Sequence, residues 1–226
     1  NSQGPPLLHE RDTDMRWGMV INLTRCVGCY SCVLACKTEH FLPPNAAWNR
    51  VLVSETSESY KQILPILCNH CREPLCVDVC PTGATQQRED GIVWIDADKC
   101  IGCRSCMMAC PYQVRVFNEK PGEYFPGQGL TPYERMREKM YPLALNTVSK
   151  CNFCMEIMDE GLKNGLMPGL DREATPACVK ACPASARIFG NLDDPHSEAS
   201  SALMQGKGYQ LRSEAGTDPC VYYVSK

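Results

Sequence analysis

The chain has 226 residues, 44% hydrophobic and 8% aromatic, with a formal net charge of -3 at pH 7. That supplies a core for one or two small domains and leaves no basic footprint for nucleic acid. Seventeen cysteines are an odd number, which excludes a fully paired disulfide set, and no apolar run approaches the length that spans a bilayer.

Residues 1–14, with Pro5-Pro6 and the charged run His9-Glu10-Arg11-Asp12, are expected to form an extended arm, and residues 16–23 a strand. Cys26, Cys29, Cys32 and Cys36 follow at C-x2-C-x2-C-x3-C spacing. Lys37 stands after the last of them, so a helix is free to continue through Cys36 towards His40. A Pro- and Ser-rich loop then carries one strand at 50–53, and the strand at 61–67 delivers the second group, Cys68, Cys71, Cys76 and Cys80, closed by Pro81. Asp90-Gly91 before Ile92-Val93-Trp94-Ile95 predicts a hairpin, which leads into Cys100, Cys103, Cys106, Cys110 and Pro111. An exit strand is expected at 114–117.

This third group is the C-x2-C-x2-C-x3-C-P run of cubane iron–sulfur proteins. Three thiolates three residues apart wrap three corners of one 4Fe–4S cube. Cys110 lies about a helical turn further on and points to a neighbouring cube. Pro111 stops the short helix there. Zinc sites use two separated pairs closing one tetrahedron, which three cysteines in seven residues fit badly.

Residues 119–149 hold no cysteine. Within them Thr131-Pro132-Tyr133-Glu134 is a capping box with Pro at the first helical position, predicting a helix over 132–140. The fourth group is split: Cys151 and Cys154, then a Gly- and Pro-bearing interruption at 161–175 that reads as a surface excursion, then Cys178, Cys182 and Pro183. A strand is expected at 186–190, and the chain runs out as a polar tail.

Four groups of four make sixteen ligands, enough for four 4Fe–4S clusters, with Cys220 left over as a small buried side chain. The second and third groups together resemble one bacterial two-cluster ferredoxin, whose fourth cysteine serves the other cluster. That crossing suggests an inner pair, Cys68, Cys71, Cys76 with Cys110 and Cys100, Cys103, Cys106 with Cys80. It leaves an outer pair, Cys26, Cys29, Cys32 with Cys182 and Cys151, Cys154, Cys178 with Cys36.

Over about 16–195 the chain resembles the four-cluster ferredoxin-type subunit of the dimethyl sulfoxide reductase family of molybdenum or tungsten enzymes, polysulfide and arsenate reductases among them. The resemblance rests on the four groups in order, on Cys36-Lys37, Cys68-Asn69-His70-Cys71, Cys80-Pro81-Thr82-Gly83-Ala84 and Cys178-Val179-Lys180-Ala181-Cys182-Pro183, and on the ending with Tyr222-Tyr223. It implies a non-catalytic electron-transfer subunit between a bis-pterin catalytic subunit and a membrane subunit that exchanges electrons with quinone, or a soluble redox partner. The chain would then be membrane-associated peripherally, through its partners. The rival class is an independent polyferredoxin that diffuses as a carrier.

The expected fold class is α+β, with two ferredoxin-like modules. The outer one comprises 15–66 and 145–190, and the inner one 67–118. Residues 119–144 form an insertion and 191–226 a docking tail.

His70, inside a ligand group, is expected to act as spacer or hydrogen-bond partner, and His9, His40 and His196 to lie on the surface. Val27, Val33, Ile101, Met107 and Met108 are expected to wall the cubes from water. Arg25, Arg72, Lys99, Arg104 and Lys150 flank ligands and are candidates to offset cluster charge. Asp96 and Asp98 look like turn residues, and no general base, nucleophile or substrate pocket suggests itself.

Overall fold

The computed structural model describes residues 15–57 and 60–225; the expected arm at 1–14 lies outside them. Along the chain, β1 (Trp17–Asn22) leads through the first cysteine loop into α1 (Ser31–Glu39). The strands β2 (Arg50–Ser57) and β3 (Tyr60–Ile66) pair antiparallel, with Val53 opposite Ile63, so both expected strands belong to one longer hairpin. A single turn of helix, α2 (Leu75–Asp78), precedes the Asp-Gly hairpin of β4 (Thr85–Gln87) and β5 (Val93–Ile95). Another single turn, α3 (Ser105–Met108), precedes β6 (Val116–Phe117).

Thr131 caps α4 (Pro132–Met140) reciprocally with Glu134, as the capping box requires. Next, β7 (Val148–Ser149) pairs with β6. The split fourth group holds α5 (Met155–Lys163) and α6 (Ala177–Lys180), and β8 (Arg187–Asn191), α7 (Glu198–Gly206) and β9 (Val221–Val224) end the chain. The result is a small mixed α and β fold of short sheets.

The central sheet has the order β8-β1-β9, with β8 antiparallel and β9 parallel to β1. Side chains alternate across a strand, and β1 uses both faces. Trp17, Met19 and Ile21 join the main core with Phe153, Met158, Phe189 and Tyr223. Val20 faces the other way, into a second cluster with Leu192, Ala199, Cys220 and Val224.

The last 36 residues are polar by composition, yet they are no loose tail: α7 covers the second face and β9 completes the sheet. Tyr223 is fully buried and donates its hydroxyl to the Pro65 carbonyl at 2.8 Å. Each such large side chain contributes about 1.5–3 kcal/mol by leaving water. The interruption at 161–175 runs over the surface, with Leu170 75% exposed, but its end is anchored. It folds back onto α5, where Ala174 is fully buried against Gly161.

The helices position the cysteines. The third cysteine of every group, Cys32, Cys76, Cys106 and Cys178, lies within the first turns of α1, α2, α3 and α6. Three of these helices are four residues long and precede a Cys-Pro step. Only α1, with Lys37 in place of proline, runs nine. A missing N–H and a restricted preceding residue account for the difference. Packing then pairs the groups, α1 against α6 and α2 against α3.

Candidate iron–sulfur centres

All seventeen cysteines are free thiols. One cavity is lined by Cys26, Cys29, Cys32 and Cys182, a second by Cys68, Cys71, Cys76 and Cys110, and a third by Cys80, Cys100, Cys103 and Cys106. Cys36, Cys151, Cys154 and Cys178 are all buried. Burial and the charges of those three neighbours push the Cys36 thiol far up. Among the described residues no three His, Cys, Asp or Glu side chains close on a point as they would round a single ion.

The first and third groups share a loop, C-x-G-C-x-S-C. Gly28 and Gly102 have φ of +67° and +66°, and Tyr30 and Arg104 follow at +61° and +63°. These left-handed steps turn three thiols inward and start α1 and α3 at a serine. Cys29 Sγ lies 3.3 Å from Ser31 Oγ and Cys103 Sγ 3.5 Å from Ser105 Oγ; the serine contact lowers each thiol's pKa. Backbone N–H groups reach other sulfurs, Thr85 to Cys80 at 3.4 Å, Val148 to Cys100 at 3.4 Å and Ala186 to Cys182 at 3.2 Å. At Cys80 burial raises the pKa, but the Thr85 N–H and the Thr82 hydroxyl outweigh it and bring the thiol to about 7. Deeper thiols go the other way: burial, then Cys178 and Cys68, push Cys151 up to about 12, and burial with Cys68 takes Cys71 to about 12.

Such mutual repulsion marks thiols that converge, and four thiolates with N–H donors aimed at sulfur are the donor set of a 4Fe–4S cluster. The residues present fit that group. When bound it supplies a one-electron redox centre. The chain's own part would be to present the sulfurs together, donate N–H and hydroxyl groups to the outer ones and control water access. The sets also adjoin one another: Cys178 acts on Cys32, and Cys68 on Cys151. Arg115 lies against both Cys76 and Cys106.

His70 is fully buried; its Nδ1 accepts from Val93 N at 3.1 Å and its ring stacks on Phe153 at 3.8 Å. Burial holds it well below the usual histidine pKa, so it is neutral. His40 is half-buried, not a free surface residue. Its Nε2 lies 3.3 Å from Cys154 Sγ and its ring packs on Trp48, and burial lowers its pKa to about 4. His196 is exposed, and His9 lies outside the described residues.

The apolar wall is also revised. Val27 and Ile101 line cavity mouths but are 67% and 66% exposed, and Met108, at 88%, faces water. Of the flanking cations, Arg25, Arg72, Lys99 and Arg104 are exposed, Arg104 over the Phe117 ring, and only Lys150 is buried. Beside the thiols, sequence reasoning missed two more buried cations, Arg115 and Arg187. A signal was there: each stands five residues after the cysteine of a Cys-Pro step, Cys110-Pro111 and Cys182-Pro183. Cys220 is fully buried in the second core cluster.

Fold and thiol sets together define an iron–sulfur protein of the ferredoxin type. The model of a 4Fe-4S dicluster domain matches residues 59–129, and that of a 4Fe-4S binding domain residues 17–38. A Halobacterium salinarum protein, provisionally named as an iron–sulfur subunit of dimethyl sulfoxide reductase, is 41% identical over 92% of this chain and 79% of its own. The arsenate respiratory reductase iron–sulfur subunit of Shewanella sp. strain ANA-3 is 39% identical, over 93% and 96%. A tetrathionate reductase subunit of Salmonella typhimurium is 36% identical, over 97% and 76%. The chain belongs to the iron–sulfur subunits of the dimethyl sulfoxide reductase family, and within it is an electron-transfer subunit and not a catalytic one.

Proposed function

We propose that the chain relays single electrons through four 4Fe–4S clusters, held by the four cysteine sets described above, between a molybdenum or tungsten catalytic subunit and a membrane or soluble redox partner. The observation that carries this reading is the succession of four thiol quartets. Each draws its fourth sulfur from another group, and each adjoins the next. Residues 15–66 with 145–190 and residues 67–118 then act as two ferredoxin-like modules, the first nearer the catalytic subunit by analogy with the family. The insertion at 119–144, the segment 1–14 and the exposed side chains of 191–226 would be the parts offered to partners.

Relatives support the membrane side of the reading: an Archaeoglobus fulgidus protein named Hdr-like menaquinol oxidoreductase iron–sulfur subunit 1 is 37% identical over 92% of the chain. Among the described residues no helix is long and apolar enough to cross a membrane, so a quinone-reactive partner would anchor the assembly and the association would be peripheral. Purification of the native complex tests the proposal. It should hold about sixteen iron atoms and as many sulfides per copy of this chain, and its largest subunit should bind the pterin cofactor. A brown, stable monomer of about the chain's own 25.2 kDa would favour the diffusing carrier. An iron-free protein would end both.

A further inference from the structure

Arg115, Lys150 and Arg187 are only 6%, 4% and 4% exposed. Buried cations are costly unless countered. Among the described residues no carboxylate pairs with any of the three. What surrounds them is sulfur, carbonyl oxygen and, at Arg115, a threonine hydroxyl.

Arg187 lines the cavity of Cys26, Cys29, Cys32 and Cys182, while its Nη1 lies 3.7 Å from Cys178 Sγ in the neighbouring set. Its Nη2 donates to Asn49 Oδ1 at 2.9 Å, which holds the guanidinium in place. Arg115 lines the cavity of Cys68, Cys71, Cys76 and Cys110. Its Nη1 donates to Thr85 Oγ1 at 3.3 Å, and Thr85 lines the cavity of Cys80, Cys100, Cys103 and Cys106. Among the described residues its Nη2 has no hydrogen-bond partner.

Lys150 fills the remaining junction. Its Nζ donates to the carbonyls of Cys151, from one set, and of Val93, which lines the next cavity. The two arginines occupy equivalent places in a repeated turn, each two residues beyond a left-handed step, Gln113 at +52° and Ser185 at +46°.

We infer that Arg187, Lys150 and Arg115 form a row of fixed buried charges, one at each junction between neighbouring thiol quartets, and that each raises the reduction potentials of both flanking clusters together. Each reduction adds a negative charge to a buried cluster, and a cation shared by two neighbours stabilises the reduced form of both. The exposed cations beside the ligands are screened by water and do this weakly. The inference rests on the cluster reading proposed above.

The test is a redox titration of the native complex, followed by electron paramagnetic resonance, for Arg187→Met, Arg115→Met and the Lys variant at each position. Arg187→Met should lower the reduced-to-oxidised ratio of two clusters at least tenfold at fixed ambient potential, about 59 mV for one electron, and leave the other two in place. Arg115→Met should move the complementary pair, and each Lys variant should restore most of the shift. Equal movement of all four clusters, or none with iron content intact, overturns the inference. Should a Met variant assemble with less iron, Gln and Lys variants are compared instead, and equal potentials in that pair overturn it. Absence of clusters from the wild-type complex would instead defeat the cluster reading.

Discussion

The two C-x-G-C-x-S-C loops offer a controlled experiment, because Gly28 and Gly102 share one backbone conformation in different surroundings. A Cβ in the left-handed region costs about 1–2 kcal/mol at either site. At Gly28 the new methyl would meet the Ile63 side chain, its tip nearest at 3.1 Å. At Gly102 it would overlap the carbonyl oxygen of Asn146 and lie 3.0 Å from the Phe117 ring.

A side-chain tip can swing aside. A carbonyl can retreat only if its segment moves, and that segment carries the Val148 N–H that reaches Cys100 Sγ. Overpacking of this kind adds roughly 1–3 kcal/mol, so Gly102→Ala should exceed Gly28→Ala by that amount, or roughly 2–12 °C for a chain of this size. The assay is anaerobic thermal loss of visible absorption at one scan rate, with iron counted per chain. Gly28→Ala should keep its iron, whereas Gly102→Ala should lose part of it. Equal losses, or a more damaged Gly28→Ala, would refute the reasoning.

Lys37 Nζ donates to the carbonyls of Pro43, Pro44 and Ala46 at 2.9, 3.2 and 2.6 Å. Lys37→Met should therefore cost about 2–3 kcal/mol, seen as a lower temperature in the same scan. Truncation after Gly206 removes β9, with Val221, Tyr223 and Val224, each contributing about 1.5–3 kcal/mol; little soluble, iron-loaded protein should result, measured as brown yield per cell mass. Cys220→Ser should keep the full iron content, while Cys103→Ala should lose about a quarter of it, both read by iron assay. Cys29 and Cys103 are the exposed thiols, so a soluble chelator should strip their two sets first, followed by the change in resonance signals with time.

Much of this molecule is written in rules that act over a few residues, and those were legible in the chain. Cysteine spacing, the proline that ends α2, α3 and α6, the Thr131–Glu134 box, the Asp90-Gly91 hairpin and the longer α1 after Lys37 all depend on near neighbours alone. Burial and pairing across the chain depend on residues far apart, and only the folded structure decided them. His40 meets Cys154 across 114 positions and so is half-buried where its local sequence put it on the surface. Residues 221–224 look like a tail until β1 presents a free edge beside them. The same holds for charge: Arg104 and Arg115 are alike in composition, but one lies exposed over Phe117 and the other between two sets of sulfurs. Short-range stereochemistry wrote the cysteine spacing into the sequence, whereas the buried positions of Arg115, Lys150 and Arg187 among the sulfurs exist only once distant segments have packed.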